Sequence, residues 1–193
     1  AGYDADRTEP YKVLYLSHGA SGDTYGNELR WMNEGTVANI LDNLIAEGKT
    51  EPFIVVTMNN QQYKWKYSEI ETDQINYIMP YVESHYNVST TAEGRAYAGL
   101  SMGGATTSNM LMHHTELFSY YGIWSYANVN GAVGGAEGIT SQSVRNHLSS
   151  LTVKPKIMLA AGNWDFGLAP VKTFGENLSE LGLDYSYLQV PAA

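Results

Sequence analysis

The chain has 193 residues, enough for one domain with its own core, and 44% of them are hydrophobic, as is ordinary for a globular protein. Twenty acidic and 11 basic residues give a net charge of −9, which argues against nucleic acid and anionic membranes as partners. The absence of cysteine excludes disulfides, thiolate catalysis and cysteine-ligated zinc.

Six short, continuously apolar runs are predicted to be strands covered on both faces. In chain order they are Tyr11–Ser17, Pro52–Met58, Arg95–Leu100, Tyr120–Ser125, Lys156–Ala161 and Tyr185–Val190. Helices are predicted between them at Thr36–Glu47, Ser68–Tyr86, Thr106–Leu117, Ser141–Leu151 and Pro170–Leu181. Pro80 is expected to kink or restart the second helix. This alternation predicts one α/β domain over residues 1–193, with a mainly parallel sheet and helices on both faces.

The strongest chemical signal is the pattern Gly99-Leu100-Ser101-Met102-Gly103. A strand pattern leads into it and a helix pattern follows it, which is the setting of a nucleophile elbow. Ser101 is therefore predicted to be a nucleophile, and the Met102 amide at the helix start is predicted to donate to an oxyanion. The alternative is a tight glycine turn with no catalytic role.

The segment after the first strand, Leu16–Gly22, is predicted to supply the second oxyanion amide. Ala20 is the first choice for this amide and Ser21 the next. His18 is a candidate base, but in this fold the catalytic histidine follows the nucleophile and the acid along the chain. His18 is therefore expected to shape the loop through hydrogen bonds.

An acidic residue, Asp165, follows the fifth strand in the segment Ala161–Gly167. A carboxylate here is predicted to orient a catalytic histidine and to stabilise its charged form. One alternative is an aspartate that only caps the amides of a turn; another is Asp184 as the acid, although it precedes a strand. Trp164 is a candidate substrate contact or loop-shaping residue. The Gly-rich stretch Asn128–Thr140 is predicted to be a flexible loop near the mouth of the site.

No histidine follows Asp165, since the five in the chain are His18, His85, His113, His114 and His147. His113 and His114 are neighbours near the end of a predicted helix, and neighbours on a helix do not share a face. A joint metal site is therefore not expected, and a favourable position near the helix C-terminus is the simpler interpretation.

Together these segments resemble the esterase D-like and feruloyl esterase group, carbohydrate esterase family one, within the α/β-hydrolases. The matching pieces, in the family's order, are AGYDADRTEPYKVLYLSHGASGD, EPFIVVTMNN, IMPYVESHYNV, RAYAGLSMGG and AAGNWDFG. The resemblance implies an α/β-hydrolase fold and serine ester hydrolysis, often of feruloyl or acetyl esters of plant xylan. It assigns Ser101 as nucleophile, Asp165 as acid, and the Met102 and Ala20 amides as the oxyanion hole.

The resemblance also implies secretion, a small-molecule or polysaccharide ester as the partner, and no metal or organic cofactor; it indicates no oligomeric state. Family members usually have strands before the GYD segment, and a histidine and a last helix after the VP segment. The chain is therefore expected to be cut at both ends and to turn over esters weakly. Two alternatives stay open: a non-catalytic binding domain on the same fold, and another hydrolase such as an enterochelin-type esterase, a peptidase or a lipase.

Overall fold

The apolar runs form one sheet in the computed structural model, which describes residues 2–23, 25–131 and 136–191. The strands are β1 (Val13–Ser17), β2 (Ile54–Thr57), β3 (Arg95–Leu100), β4 (Tyr120–Trp124), β5 (Lys156–Gly162) and β6 (Tyr185–Val190). Their order is β2-β1-β3-β4-β5-β6, and every neighbouring pair is parallel. The predicted parallel α/β sheet is confirmed.

Helices connect the strands, as a parallel sheet requires. They are α1 (Arg30–Asn33), α2 (Val37–Ala46), α3 (Tyr67–Asp73), α4 (Met79–His85), α5 (Met102–His113), α6 (Gln142–Ser149) and α7 (Leu168–Glu180). A π-helical turn, Gln74–Ile78, joins α3 to α4, and Pro80 lies in the first turn of α4. The backbone stays helical across both junctions, so the chain does not restart at Pro80. The π turn lies directly before this proline, which lacks the amide that an inner turn of an α-helix needs.

The prediction of a helix over Thr106–Leu117 was wrong in its bounds, because α5 begins four residues earlier, at Met102, and ends at His113. Every residue from Met102 to Met112 is buried. A helix buried all round has no apolar stripe that could mark its ends in the sequence. α5 therefore lies in the centre of the molecule, against β1, β3 and β4.

Aromatic side chains fill the core between α5 and the sheet. The ring of Phe118 makes edge contacts with those of Tyr15, Tyr97 and Tyr121, with centroids 5.5–6.1 Å apart. These aromatic residues are almost completely buried and belong to one continuous apolar cluster. The opposite face is less covered by the described residues, because no residue of α2 is fully buried.

The direction in which the chain crosses the sheet reverses between β1 and β3. The chain moves from β1 outward to β2, then returns past β1 to β3 and continues to β6. Because such crossovers are right-handed, the β1–β2 connection lies on one face and the later helices lie on the other. The loops after β1 and β3 therefore meet at a switch point, where parallel sheets form their binding crevices.

None of the helices in the described part of the chain is both long enough and apolar enough to cross a membrane.

Candidate active site

Ser101 occupies the sharp turn between β3 and α5, in a strained backbone conformation with φ 57° and ψ −115°. A non-glycine residue adopts a positive φ only where its surroundings hold it there. The Ser101 amide donates to the Trp124 carbonyl at 2.9 Å, and the Ser101 carbonyl accepts from the Ala105 amide at 2.9 Å. The half-buried side chain makes no hydrogen bond to any described residue, so its hydroxyl is available to a substrate.

The glycines around Ser101 are required because backbone approaches backbone there. A Cβ at Gly99 would lie 2.5 Å from the Gly103 carbonyl carbon, and one at Gly103 would lie 2.2 Å from the Ser17 carbonyl oxygen. A Cβ at Gly104 would lie 2.4 Å from the Trp124 carbonyl oxygen. Such distances exclude any side chain. The glycines therefore bring β1, β3 and the start of α5 together around Ser101.

The loop after β1 lies directly against Ser101. An ideal Cβ on Gly19 would be 3.4 Å from the Ser101 Cβ and 4.0 Å from its Oγ. The next amide, that of Ala20, donates to no described residue. The Met102 amide is the first of α5, where helix amides lack an intrahelical acceptor. Both amides predicted for an oxyanion hole therefore donate no hydrogen bond to the described residues, and they lie on the two segments that flank Ser101.

The Ser21 amide, the second choice from the sequence, is already occupied. It donates to Oε1 of Gln61 at 3.0 Å, while Nε2 of Gln61 donates to the Ser21 carbonyl at 2.6 Å. Gln61 follows β2. Its side-chain amide holds the loop after β1 by bonding both the backbone amide and the backbone carbonyl of Ser21. Of the two loop amides predicted from the sequence, that of Ala20 therefore has no hydrogen-bond partner among the described residues, and that of Ser21 has one.

His18 is buried and uses both ring nitrogens inside the protein. Its Nε2 accepts from the Asn60 amide at 3.0 Å, so its Nδ1 carries the proton and donates to the Gly19 carbonyl at 2.7 Å. Burial lowers the pKa of His18, and the nearby Arg30 charge acts in the same direction. A neutral imidazole with no free lone pair cannot take a proton from Ser101, but it fixes the loop that contacts Ser101.

Asp165 lies in the loop after β5, half-buried, and its Oδ1 accepts from the Gly167 amide at 2.8 Å. The local turn cap considered from the sequence is thus present for one carboxylate oxygen. Gly167 packs on the backbone of Ser125, directly after β4, so closely that its Cβ would clash with the Ser125 carbonyl. Ser101 and Asp165 therefore lie at the carboxyl ends of β3 and β5, on either side of β4.

Asp184, the alternative acid, lies at the amino end of β6, whereas Ser101 and Asp165 lie at the carboxyl ends of their strands. Trp164 and Phe166, on either side of Asp165, are 87% and 72% exposed. A large exposed aromatic side chain offers an apolar face to a ligand. Part of the predicted Gly-rich loop, residues 132–135, lies outside the described residues.

His113 and His114 both contact the carboxylate of Glu71, at 3.2 and 3.5 Å. The neighbours converge because His113 ends α5 and His114 has left the helix. Burial opposes the charge of His114, but the Glu71 carboxylate raises the pKa of this histidine overall. The described residues contain no His, Asp and Glu group suited to a metal ion, and this cluster joins α3 to the far end of α5.

Three side chains that hold the loop after β1 were not predicted from the sequence: Asn60, Gln61 and Arg30. The first two follow a buried strand at the carboxyl edge of the sheet, and this position was a usable signal. Nη1 of Arg30 donates to the Gly19 carbonyl at 3.0 Å. Arg30 lies on α1, which the hydrophobic spacing did not predict.

Cavity size does not mark this site. A cavity of about 180 Å³ lies between the Gly19 loop, α1 and Leu100, next to Ser101. A larger one, about 660 Å³, lies along the outer strand β2 among apolar and tyrosine side chains. The chemical groups, rather than the volumes, identify the switch point as the candidate active site.

Comparison with known proteins gives a consistent family. A family model described as "Putative esterase" matches residues 1–164. An endo-1,4-beta-xylanase/feruloyl esterase of Xylanibacter ruminicola is 35% identical over 127 residues, which are 62% of this chain and 17% of that protein. The chain thus spans about a sixth of the length of this relative.

Solved structures show the same fold. The structure of a ferulic acid esterase from the anaerobic fungus Anaeromyces mucronatus is similar with a TM-score of 0.79 and 25% identity, over 99% of this chain and 74% of that one. An S-formylglutathione hydrolase of Staphylococcus aureus is similar with a TM-score of 0.74 and 19% identity, over 98% and 77% of the two chains. Hydrolases that differ in name thus share this architecture.

Proposed function

This chain belongs to the putative esterase family, and on that premise we propose that it is a serine carboxylic-ester hydrolase with Ser101 as its nucleophile. The observation on which the proposal rests is the geometry of Ser101. Its hydroxyl makes no hydrogen bond to the described residues. It lies at a strained elbow, flanked by two backbone amides that also donate to no described residue. Such an arrangement suits attack on an acyl carbon whose oxygen then becomes negatively charged.

The reaction has two steps. The Ser101 Oγ bonds to the ester carbonyl carbon, the Met102 and Ala20 amides hold the oxyanion, and the bond to the alcohol breaks while the alcohol gains the serine proton. Water then attacks the acyl–serine ester, releases the carboxylic acid and returns the proton to Ser101. Asp165 would act through an imidazole, which it would orient and stabilise when charged.

The 193 residues offer no evident general base that could take the proton from Ser101. His18 has both nitrogens engaged, and the other four histidines also precede Asp165 in the chain. We therefore propose that these residues alone form the nucleophile and the oxyanion hole but hydrolyse esters slowly. Loss of triad members can cost several powers of ten and still leave catalysis by the oxyanion hole.

The proposed substrates are feruloyl or acetyl esters of plant polysaccharide such as xylan. The name of the Xylanibacter ruminicola relative and that of the fungal structure support a feruloyl ester. The exposed rings of Trp164 and Phe166 beside Asp165 suit an aromatic acyl group or a sugar. A polysaccharide substrate would also suit secretion, which we propose on the family resemblance alone.

The rival function is ester or sugar binding without turnover, which suits a site where both ring nitrogens of His18 are already engaged. Fluorophosphonate labelling followed by peptide mass spectrometry tests the nucleophile, with Ser101→Ala as the control. We expect an adduct on Ser101 in the folded chain and none in the variant. A folded chain that labels no faster at Ser101 than at an exposed serine such as Ser143 would refute the nucleophile and favour binding alone.

Turnover and specificity need a second assay. We expect p-nitrophenyl acetate and methyl ferulate to be hydrolysed slowly, by an activity that Ser101→Ala removes. Fast, Ser101-dependent hydrolysis would contradict the proposal that the 193 residues lack an effective base. Preference for an S-acyl glutathione over a feruloyl ester would contradict the proposed substrate class.

A further inference from the structure

The second oxyanion amide belongs to a peptide unit whose other end is held by two side chains. The Gly19 carbonyl and the Ala20 amide are the two poles of one trans peptide and point in opposite directions. The Gly19 carbonyl accepts from His18 Nδ1 at 2.7 Å and from Arg30 Nη1 at 3.0 Å. Two donors on the carbonyl therefore fix the direction of the amide on the other side.

Arg30 is itself held in one orientation. Its Nε and Nη2 donate to the two carboxylate oxygens of Glu34, each at 2.8 Å. This paired geometry leaves Nη1 directed at the loop, where it also reaches the Ala20 carbonyl at 3.5 Å. A planar guanidinium fork held in this way has fewer orientations to lose than a lysine ammonium would have.

The Arg30–Glu34 pair is not needed to join two distant elements, since both residues belong to one short stretch four positions apart. The Arg30 and Glu34 side chains are 32% and 63% exposed, and such surface pairs contribute little to stability. What Arg30 does contact is the Gly19–Ala20 peptide, whose amide donates to no described residue.

We propose that Arg30 is a positioning residue of the oxyanion hole, which holds and polarises the Gly19–Ala20 peptide so that the Ala20 amide donates more strongly to the oxyanion on the Ser101 adduct. The inference rests on the proposed function of Ser101. A cation bonded to a carbonyl withdraws electron density along the peptide, and hydrogen bonds in such a chain strengthen one another. In this proposal Arg30 acts through this peptide, not through a contact of its own with the substrate.

The test uses the acyl-enzyme, which is expected to persist because the 193 residues lack an effective base for its hydrolysis. The chain is treated with p-nitrophenyl cinnamate labelled with ¹³C at the carbonyl, and mass spectrometry locates the acyl group. Infrared difference spectra then give the stretching frequency of the acyl carbonyl. Hydrogen bonds from an oxyanion hole lower this frequency, so it reports the Ala20 and Met102 amides directly.

Arg30→Met removes the charge and the hydrogen bond, and Arg30→Lys retains the charge without the fork to Glu34. We expect the carbonyl frequency to rise from the wild type to Arg30→Lys and further to Arg30→Met. Acylation of Ser101 in Arg30→Met should be about 10- to 100-fold slower, somewhat less than the loss of a whole oxyanion donor.

Arg145→Met is the matched control. Arg145 is 27% exposed and pairs with the 64% exposed Glu180 at 3.0 Å, but it joins α6 to α7. We expect this variant to keep the wild-type frequency and acylation rate. A change as large as that in Arg30→Met would overturn the inference, since loss of any similar ion pair would then have the same effect.

The possible failures are distinguishable. If the wild-type chain forms no acyl group on Ser101, the proposed function fails. If Ser101 is acylated but Arg30→Met has the wild-type frequency and rate, the inference fails and the proposed function stands. If circular dichroism finds Arg30→Met unfolded, Arg30→Lys decides, and a wild-type frequency in that variant overturns the inference.

Discussion

Substituting Gly103 by alanine is expected to separate the two halves of the site. The added Cβ would lie 2.2 Å from the Ser17 carbonyl oxygen and 2.9 Å from that of His18, where ordinary contact begins at 3.4 Å. The helix and the loop must therefore move apart by about 1.2 Å. A displacement of about 1 Å at a catalytic group can cost on the order of 100-fold in rate.

The cost in stability follows from two opposing effects. Alanine gains about 1 kcal/mol of helix propensity over glycine, while overpacking costs about 1–3 kcal/mol. The upper end applies because both obstructing atoms belong to backbone that cannot rotate away. We expect Gly103→Ala to lose about 2 kcal/mol in urea unfolding and to label roughly 100-fold more slowly with a fluorophosphonate.

Gly48→Ala separates lost stability from displacement of the site. Gly48 follows α2 with φ +66° and has nothing within 4 Å of an added Cβ. The left-handed conformation should cost alanine about 1 kcal/mol without an effect on labelling. The reasoning is refuted if Gly103→Ala labels at the wild-type rate, or if Gly48→Ala slows labelling as much.

The remaining predictions concern the residues around the site. Asp165→Asn should leave Ser101 labelling unchanged in these 193 residues, because a carboxylate that acts through histidine has nothing to orient; a tenfold loss would show a direct role. Gln61→Ala should lower urea stability by about 1–3 kcal/mol by freeing both Ser21 groups, whereas Gln142→Ala on the surface of α6 should cost less than about 0.5 kcal/mol. The pKa of the His114 ring, followed by NMR, should fall in Glu71→Gln, since Glu71 raises it; an unmoved titration would disprove the contact. Because burial lowers the pKa of His18, the unfolded chain binds this proton at a higher pH than the folded one. Stability from His18 should therefore be complete above about pH 6.5 and decline as the pH falls through the lower folded pKa. His18→Asn should show a smaller decline between pH 7 and pH 5 in urea unfolding, and an equal decline would refute this.

The strands were predictable because each is an apolar run that ends in polar or glycine-rich sequence. β3 and β6 have the predicted bounds, and the other four differ by at most two residues at either end. The start of α5 was not predictable from hydrophobic spacing, because its first turn packs on backbone through Gly103 and Gly104. Close backbone contact leaves no periodic signal in the sequence.

The candidate site was predictable where a motif and a strand end coincide, as at Ser101 and in the loop after β1. The residues that hold this loop were not. Arg30 reaches Gly19 from a short helix without an apolar stripe, and Gln61 reaches Ser21 across 40 positions of sequence. Contacts of this kind depend on which loops the sheet brings together, and a local sequence pattern does not predict that.

The position of β1 has a consequence for how the chain folds. β1 precedes the other described strands along the chain, and its two neighbours, β2 and β3, come about 40 and 80 residues later. Its loop gains the contact with Gln61 only after β2 has paired, and the contact with Ser101 only after β3 has. Closing such long loops is slow. Reactivity at Ser101 is therefore expected to be among the last properties to appear during refolding, after most of the helical signal has returned.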